Sequence, residues 1–318
     1  MADIDPGLSP ARAREVAAQQ MLERMVAHAA ANATDRSDGP LAIPATLYTC
    51  PDRFALEQQK LFRELPLVAG LTQDIPNPDL DGKLIAQPGK AGFEGHPEGQ
   101  RDLLPVPARE WNGLIFVQPE GEMDLETHLA DFAPVLAMLE LDKAEPVKRG
   151  HMDCAANWKY ALDTYGEGYH FASLHPNNIG ITHMSDVGVF DAYGRHHRIS
   201  FPTKAMAELA STPPEEWPTS DYGGVLFRLF PHDVGHMRCQ FAVYAPGGVR
   251  DEAHRRENEM GFDLTKQVVE TEDYRQSEQS FANLLAAPPG FNVVLGSNEI
   301  ALQRLQRNIA DVLGVPLE

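Results

Sequence analysis

The amino-acid sequence predicts an α+β fold, in which helices flank an antiparallel β-sheet. Two observations support this fold class. Short apolar runs recur between turn residues, and both ends of the chain show the spacing of amphipathic helices. The runs that predict strands are residues 113–117, 187–200, 224–230 and 237–244. Because strands grouped between helical segments can bury a sheet face under helices, the pattern favours an α+β domain.

Three segments predict helices from their apolar spacing and end signals. They are residues 9–31, 52–65 and 298–313. Ser9 and Asp52 suit N-cap positions, where a side-chain oxygen accepts a bond from a free backbone N–H. Gly314 follows the last helix as a stop signal. The polar residues 34–40 and the Pro- and Gly-rich residues 72–99 predict a linker and a loop. We expect His96 in that loop to be solvated.

Length, composition and charge describe an ordinary globular chain. It has 318 residues, of which 43% are apolar and 23% are charged. No apolar run approaches the roughly 18 residues of a membrane span. The formal charge of −19 argues against nucleic acid or an anionic membrane as a partner. This negative charge is explained by solubility, or by binding to a partner protein that presents a basic face.

The cysteine count and the N-terminus predict a cytoplasmic protein. Cys50, Cys154 and Cys239 are odd in number and show no framework spacing, which fits a reducing compartment. The first residues are acidic and lack the basic start and apolar core of a signal peptide.

The run NWKYALDTYGEGYHFASLHP, residues 157–176, holds the main concentration of chemical side chains. Its histidines, His170 and His175, are five residues apart, so a regular helix would leave them about 140° apart. They can share a metal only if the helix loosens or ends between them. Gly166 and Gly168 weaken the helix, and Pro176 biases His175 away from helical geometry. The sequence therefore permits a broken helix that turns both imidazoles toward one point.

A third ligand is expected from a carboxylate further along the chain. The best candidate is Asp273, in the run ETEDYRQSEQ. Two imidazoles and one carboxylate on one face of an octahedron leave the opposite face open, which suits Fe(II) with dioxygen and a substrate.

With these residues in place, the chain resembles the Rieske non-haem iron oxygenases, the family of ring-hydroxylating oxygenase alpha subunits. The resemblance rests on residues 157–176, on the Glu272-Asp273 and Glu278-Gln279 pattern, and on the run LGSNEIAL at residues 295–302. It extends from about residue 44 to the end of the chain. It implies a catalytic domain with the helix-grip (START/Bet v1-like) fold.

The resemblance also implies a role for each site residue. His170, His175 and Asp273 would bind a mononuclear Fe(II), with O2 as co-substrate. Glu167 matches the family's bridging carboxylate, which in most members bonds a histidine of the neighbouring subunit's Rieske cluster and relays electrons. Asp163 matches a position held by Asn or Asp near the metal. Both are candidate catalytic residues.

The chain departs from the family in its cysteines. A Rieske [2Fe–2S] centre needs two cysteines and two histidines, arranged in this family as CxH and CxxH, and no cysteine here stands in either pattern. The cluster-bearing module, roughly 100 residues or less, is therefore predicted to be missing. The expected domains are residues 1–40, an N-terminal helix and linker; residues 41–102, a remnant of the segments that flank a Rieske domain; and residues 103–318, the iron-binding catalytic domain.

Three hypotheses follow for the function. The first is an oxygenase component that hydroxylates or demethylates a small aromatic or heterocyclic substrate. Its electrons would come in trans from a Rieske-containing reductase, a ferredoxin or a full-length oxygenase subunit, in an oligomer built on trimers. The second is a non-catalytic structural or regulatory subunit of an oxygenase complex. The third is a defective or engineered deletion product, although the turn-like join at residues 79–82 argues against it.

The remaining histidines and aromatics are not expected to be ligands or catalysts. His196 and His197 are strand neighbours that point to opposite faces. His232 and His236 lie beside Pro and Gly, which predicts loop or pocket residues. His183 could line the cavity of the iron site. Tyr165, Tyr169 and Phe171 are expected in the core or the pocket wall.

Overall fold

The computed structural model describes residues 9–75, 86, 88–95, 102–217 and 224–317. Its α-helices are α1 (Pro10–Ala31), α2 (Thr46–Thr49), α3 (Pro51–Lys60), α4 (Leu125–Leu129), α5 (Ala133–Ala137), α6 (Trp158–Asp163), α7 (Phe171–Leu174), α8 (Ile179–Thr182), α9 (Lys204–Leu209), α10 (Glu252–Val268), α11 (Tyr274–Leu285) and α12 (Ile300–Leu313). Its strands are β1 (Leu41–Pro44), β2 (Leu67–Leu71), β3 (Ala108–Trp111), β4 (Leu114–Val117), β5 (Glu145–Cys154), β6 (Val189–Tyr193), β7 (His196–Ser200), β8 (Gly224–Asp233), β9 (His236–Ala245) and β10 (Asn292–Leu295). The α+β class is confirmed.

The longest strands form an antiparallel sheet in the order β5-β9-β8. Met237, Cys239 and Phe241 of β9 alternate toward the main core, as the two-residue period of a strand requires. Ala242 and Tyr244 point the other way and pack into a second apolar cluster with residues of β2 and β4. Because β9 is covered on both faces at this end, its last residues are all buried.

Helices cover the inner face of this sheet. Phe262 of α10 stacks on Phe241 of β9, with ring centroids 4.3 Å apart. A Cβ atom at Gly150 of β5 would stand 2.9 Å from the Phe262 ring, so glycine allows this close approach. Helix α12 buries Leu302 and Ile309 in the same core. The grip of helices on an antiparallel sheet is consistent with the predicted helix-grip fold.

Smaller sheets attach the N-terminal part of the chain. Strands β2, β4 and β3 form an antiparallel sheet that joins residues on either side of position 102. Strand β1 pairs with β10 in the register Leu41↔Leu295. Apolar spacing alone does not predict strands β1, β2 and β5, because each is short or carries charged residues.

Several helix and strand boundaries differ from those predicted from the sequence. Helix α3 begins two residues earlier than predicted, with Cys50 rather than Asp52 at the N-cap, and ends at Lys60 rather than Leu65. Residues 187–200 form two strands, β6 and β7, joined at Gly194, whose positive φ of 56° makes the turn. The predicted loop contains short 3-10 turns, Thr72–Asp74 and Lys90–Phe93, while His96 and the join at residues 79–82 lie outside the described residues.

The helix signals at both ends are confirmed. Ser9 caps α1 by accepting a bond from the backbone N–H of Arg12, and Gly314 ends α12 with a φ of 67°. None of the helices in the described ranges combines the length and the apolar character that crossing a membrane requires.

Candidate metal centre

A break in the helical path brings the two histidines together. Helix α6 ends at Asp163, His170 directly precedes the single turn α7, and His175 directly follows it. A Cβ atom at Gly166 would lie 2.3 Å from Leu302, and one at Gly168 would lie 2.9 Å from Phe201. Glycine at both positions therefore lets the chain turn against packed side chains. The imidazole centroids of His170 and His175 are 5.0 Å apart, as a broken helix requires.

Asp273 approaches from a different part of the chain. It is the last residue of a π-helical turn, Val269–Asp273, between α10 and α11. Such turns insert an extra residue into a helix and often lie at functional sites. The Oδ1 atom of Asp273 is 3.1 Å from Nε2 of His175 and 3.5 Å from Nε2 of His170. The predicted triad is therefore assembled in space.

Both histidines are oriented by a carboxylate on their other ring nitrogen. Nδ1 of His170 bonds Glu167, and Nδ1 of His175 lies 2.6 Å from Oε2 of Glu272. Glu272 is itself held by the side-chain amide of Asn178, at 3.1 Å. A carboxylate at Nδ1 favours the proton there and directs the Nε2 lone pair toward a metal. Glu272 is adjacent to Asp273 in the sequence, but its role was not predicted.

The three ligand atoms fit a first-row metal ion. Neighbouring ligands of an octahedral ion bound at about 2.1 Å lie about 3 Å apart, close to the two distances seen here. All three candidate atoms lie within 4.8 Å of one another. In the described part of the chain, His170, His175 and Asp273 are the group that meets this condition. The donor set of two nitrogens and one oxygen suits Fe(II).

Without a metal, the triad is held together by charge. Burial lowers the pKa of His170, but the bonds to Asp273 and Glu167 outweigh burial and raise it to about 9. The pKa of His175 is raised in the same way, against burial, by Asp273 and Glu272. Burial raises the pKa of Asp273, but the two imidazoles outweigh it and lower the pKa. A bound cation would take the place of the imidazole protons.

A cavity of about 600 Å³ opens beside the triad. His170, Asp273, Glu167 and Asp163 all line it. Asp163 does not touch the triad; its Oδ2 atom accepts a 2.7 Å bond from the Tyr48 hydroxyl. Burial raises the pKa of Asp163 to about 7. The cavity therefore connects the candidate metal ligands His170 and Asp273 to the carboxylate of Asp163, the last residue of α6.

The aromatic residues around the motif have separate places. Tyr169 lines the cavity and is half exposed. Phe171 is buried against the His170 ring, and the Tyr165 hydroxyl bonds that of Tyr274 in the core.

The other histidines stay apart from the triad. His183 does not line the cavity, contrary to expectation; its ring packs against Phe171. His232 and His236 lie in the hairpin of β8 and β9 rather than in a loop, because the strands extend past Pro231. His196 bonds the backbone carbonyl of His128 at 2.7 Å.

A buried ion pair between Lys159, within residues 157–176, and Glu57 was also not predicted. The Lys159 ammonium lies 2.7 and 2.6 Å from the two carboxylate oxygens of Glu57, and both side chains are almost fully buried. The indole N–H of Trp158 also donates to Glu57. This cluster ties α6 to α3. A charged residue inside a helical pattern gives no signal of burial by itself, so only the packing identifies it.

A match to an oxygenase family model supports an oxidoreductase. Residues 141–223 match the family model described as ring hydroxylating alpha subunit (catalytic domain). The predicted resemblance is confirmed over this region, and the chain has the fold of Rieske oxygenase alpha subunits. A search of curated proteins found no match.

Solved structures with a similar fold include the quaternary ammonium Rieske monooxygenase CntA. Its complex with inhibitor MMV12 has 14% identity and a TM-score of 0.67, covering 85% of this chain and 94% of that chain. Its complex with L-carnitine has 14% identity and a TM-score of 0.64, covering 85% and 95%. A further structure, reported with insights into carnitine oxidation and inter-subunit electron transfer, has 13% identity and a TM-score of 0.63, covering 85% and 95%. At such identities the likeness shows the fold alone.

Proposed function

We propose that the chain is an oxygenase component that uses mononuclear Fe(II) and O2 to hydroxylate or demethylate a small molecule. The observation that carries this proposal is the convergence of two imidazole Nε2 atoms on one oxygen of Asp273. Glu167 and Glu272 orient the imidazoles, and His170 and Asp273 line the cavity. When bound, Fe(II) supplies the redox chemistry that activates dioxygen. His170, His175 and Asp273 would hold the ion, beside the cavity that His170 and Asp273 line.

The electrons are proposed to come from another protein. All three cysteines lie in the described residues: Cys154 and Cys239 are buried in the core, and Cys50 begins α3. None stands in the CxH or CxxH pattern of a Rieske cluster. A reductase, a ferredoxin or a full-length oxygenase subunit with its own cluster would then be needed. Inter-subunit electron transfer in the similar CntA structure makes an oligomer a reasonable arrangement.

Glu167 is the residue we propose to face that donor. It is bonded to His170 within the chain and also accepts from the backbone N–H of Tyr169 at 2.8 Å. It therefore connects the cavity surface to a candidate metal ligand.

We also propose three segments: residues 1–40 as an N-terminal helix and linker, residues 41–102 as a remnant of the segments that flank a Rieske domain, and residues 103–318 as the catalytic domain. The assembly is proposed to be based on trimers, and the location to be the cytoplasm.

The substrate is proposed to be small, because the cavity holds about 600 Å³. Tyr48, Tyr160 and Tyr169 on its wall suit an aromatic or heterocyclic ring. The similar CntA structures contain L-carnitine or γ-butyrobetaine as substrates, which also fit the idea of a small molecule.

The competing hypothesis, a non-catalytic subunit, is favoured by the missing cluster motif. Metal analysis separates the two. We expect about one iron per chain after anaerobic reconstitution, without Rieske absorbance, and its loss in His170→Ala and in Asp273→Ala. His236→Ala, at the surface end of a hairpin, is the control and should keep its iron. A wild-type chain without iron, or iron unaffected by both substitutions, would leave the structural subunit as the better interpretation.

A further inference from the structure

The run LGSNEIAL at residues 295–302 is not part of the candidate triad, but it forms one wall of the cavity. Leu295, Glu299 and Leu302 line the cavity, and each is at most 8% exposed. The backbone N–H of Gly296 donates to the Glu299 carboxylate, which fixes that side chain at the start of α12. This wall therefore presents a buried and oriented carboxylate.

One hydrogen bond joins this wall to the loop that carries His170. The hydroxyl of Tyr169 donates to Oε1 of Glu299 at 3.2 Å, across 130 positions of the chain. At its other end, the backbone N–H of Tyr169 donates to Oε2 of Glu167 at 2.8 Å. Because Tyr169 and Glu299 both line the cavity, the tyrosine side chain extends from one wall of the cavity to another.

Tyr169 lies at the mouth of the cavity. The deepest lining residues are at most 4% exposed: Tyr48, Ser277, Leu295 and Leu302. A residue that lines a cavity and is also open to solvent must lie where the cavity meets the surface. Among the described residues of the lining, four are exposed, and we call them the mouth residues: Tyr169, Ser173, Gln276 and Val294. Tyr169, at 48% exposed, is the largest of them.

The hydroxyl bond to Glu299 favours the position of the Tyr169 ring at the mouth. Glu299 is 8% exposed, so water has little access to its carboxylate in place of Tyr169. Moving the ring into solvent would break the bond and leave a buried oxygen unpaired, which is rare in folded proteins. A neutral hydrogen bond of this kind shifts an equilibrium by about fivefold. The ring is therefore held at the mouth, by a bond weak enough to break.

We propose that Tyr169 is a specificity-determining residue, whose ring, held by Glu299, narrows the mouth and admits narrow substrates in preference to wide ones. The proposal rests on the oxygenase function above, since it concerns entry to the same cavity. A narrow molecule passes beside the ring. A wide molecule enters only when the bond between Tyr169 and Glu299 breaks and the ring moves into solvent.

The test measures how fast thiols in the cavity react with reagents of different width. Thr164→Cys and Ser280→Cys each place a reporter thiol at a partly buried position of the lining. Methyl methanethiosulfonate is the narrow reagent, and 4-phenylbenzyl methanethiosulfonate is the wide one. The unsubstituted full-length chain gives the background from the natural cysteines, of which Cys154 and Cys239 are buried and Cys50 is partly buried.

The expected rates are compared after each is divided by the rate of the same reagent with free glutathione. With Tyr169 present, the narrow reagent should react at least about tenfold faster than the wide one. Tyr169→Phe removes only the hydroxyl and should raise the rate of the wide reagent about fivefold. Tyr169→Ala also removes the ring and should raise that rate about tenfold or more, with at most about a twofold change for the narrow reagent.

Ile181→Ala is the matched control, because Ile181 is 60% exposed and is not among the described lining residues. It should change neither rate. Urea denaturation would verify that each variant is folded, and Tyr169→Phe decides the test if Tyr169→Ala is unstable. Three results would each overturn the proposal: equal corrected rates of the two reagents, no labelling of either reporter by the narrow reagent, or an unchanged rate of the wide reagent in the folded Tyr169 variants.

These measurements need neither metal nor turnover. A chain that binds no iron but selects reagents by width through Tyr169 would refute the oxygenase function and retain the role of Tyr169. A chain that binds iron at the triad but does not distinguish the two reagents would do the reverse.

Discussion

The Nε2 atom of His175 lies 3.1 Å from Oδ1 of Asp273, although 98 positions separate the two residues. The approach depends on two interruptions of regular helix, one where the isolated turn α7 is flanked by His170 and His175 and one in the π turn that ends at Asp273. Each interruption changes the direction of a side chain that a regular helix would point elsewhere. The candidate metal centre is therefore built from two local departures from helix that meet at one point.

The carboxylate behind His175 should control metal affinity. Glu272→Gln keeps a hydrogen-bond acceptor but removes the charge that favours the Nδ1 proton. We expect metal affinity to fall about tenfold or more, as for other partners of metal-binding histidines. Competition titration with Co(II) or anaerobic Fe(II) would measure it. Glu270→Gln is the control, since Glu270 lies on the same turn but bonds Lys266. Equal affinity in the two variants would contradict a role for Glu272.

Metal binding should release protons near neutral pH. The pKa of His170 in the metal-free chain is raised to about 9, since Asp273 and Glu167 outweigh the lowering by burial. Its imidazole is therefore protonated at pH 7.5, and a metal ion binds only the neutral ring. The apparent affinity should rise with pH and level off above about pH 9. Calorimetric titration with Zn(II) in buffers of different ionisation enthalpy would count the protons, and zero release at pH 7.5 would show this pKa assignment to be wrong.

Gly166 should not tolerate a side chain. An alanine Cβ would clash with the Cδ1 atom of Leu302, so Gly166→Ala must shift the buried Leu302 side chain or the turn that leads to His170. We expect a loss of stability of about 1 to 3 kcal/mol, together with weaker metal binding. Urea denaturation with two-state analysis would measure the free energy of unfolding.

Gly261→Ala provides the contrast. Gly261 is exposed within α10 and has no atom within 4 Å of a built Cβ. Alanine there should stabilise the chain by about 0.5 to 1 kcal/mol, because glycine is the poorer helix residue. If both glycine variants shifted stability in the same direction, the packing argument for Gly166 would fail.

Removing one partner of the buried pair Glu57 and Lys159 should lower the free energy of unfolding more than replacing both partners. Glu57→Gln leaves the buried Lys159 ammonium, and the Arg53 guanidinium 3.3 Å from Glu57, without that counter-charge, and we expect a loss of about 3 to 5 kcal/mol in the free energy of unfolding. Joint replacement by Glu57→Gln and Lys159→Met removes that ammonium and should recover part of the loss. Urea denaturation of both single variants and the double variant would give the interaction free energy between the two residues. A double variant at least as unstable as the sum of the singles would contradict this account.

Some of the site could be predicted from local sequence. The broken helix follows from Gly166, Gly168 and Pro176, because backbone preferences act over neighbouring residues. The ligands His170, His175 and Asp273 were predicted from residue type and a family resemblance, and their convergence agrees with that prediction. Whether they bind iron stays a prediction.

Other features could not be predicted, since they depend on contacts between distant segments. The loop expected at His232 and His236 is a hairpin, because pairing of β8 with β9 overrides the local effect of Pro231. His183 turns from the cavity to Phe171 because α8 packs there.

The sequence by itself determined the fold class, the helix ends at Ser9 and Gly314, and the residue types of the candidate metal site. These depend on periodicity, capping and donor chemistry, which act locally. Only the tertiary structure decided that Glu272 orients His175, that Glu57 neutralises Lys159, and that Asp163 lines the cavity while accepting a bond from Tyr48. The physical reason is that burial and charge pairing are set by neighbours in space, and those neighbours come from segments far apart along the chain.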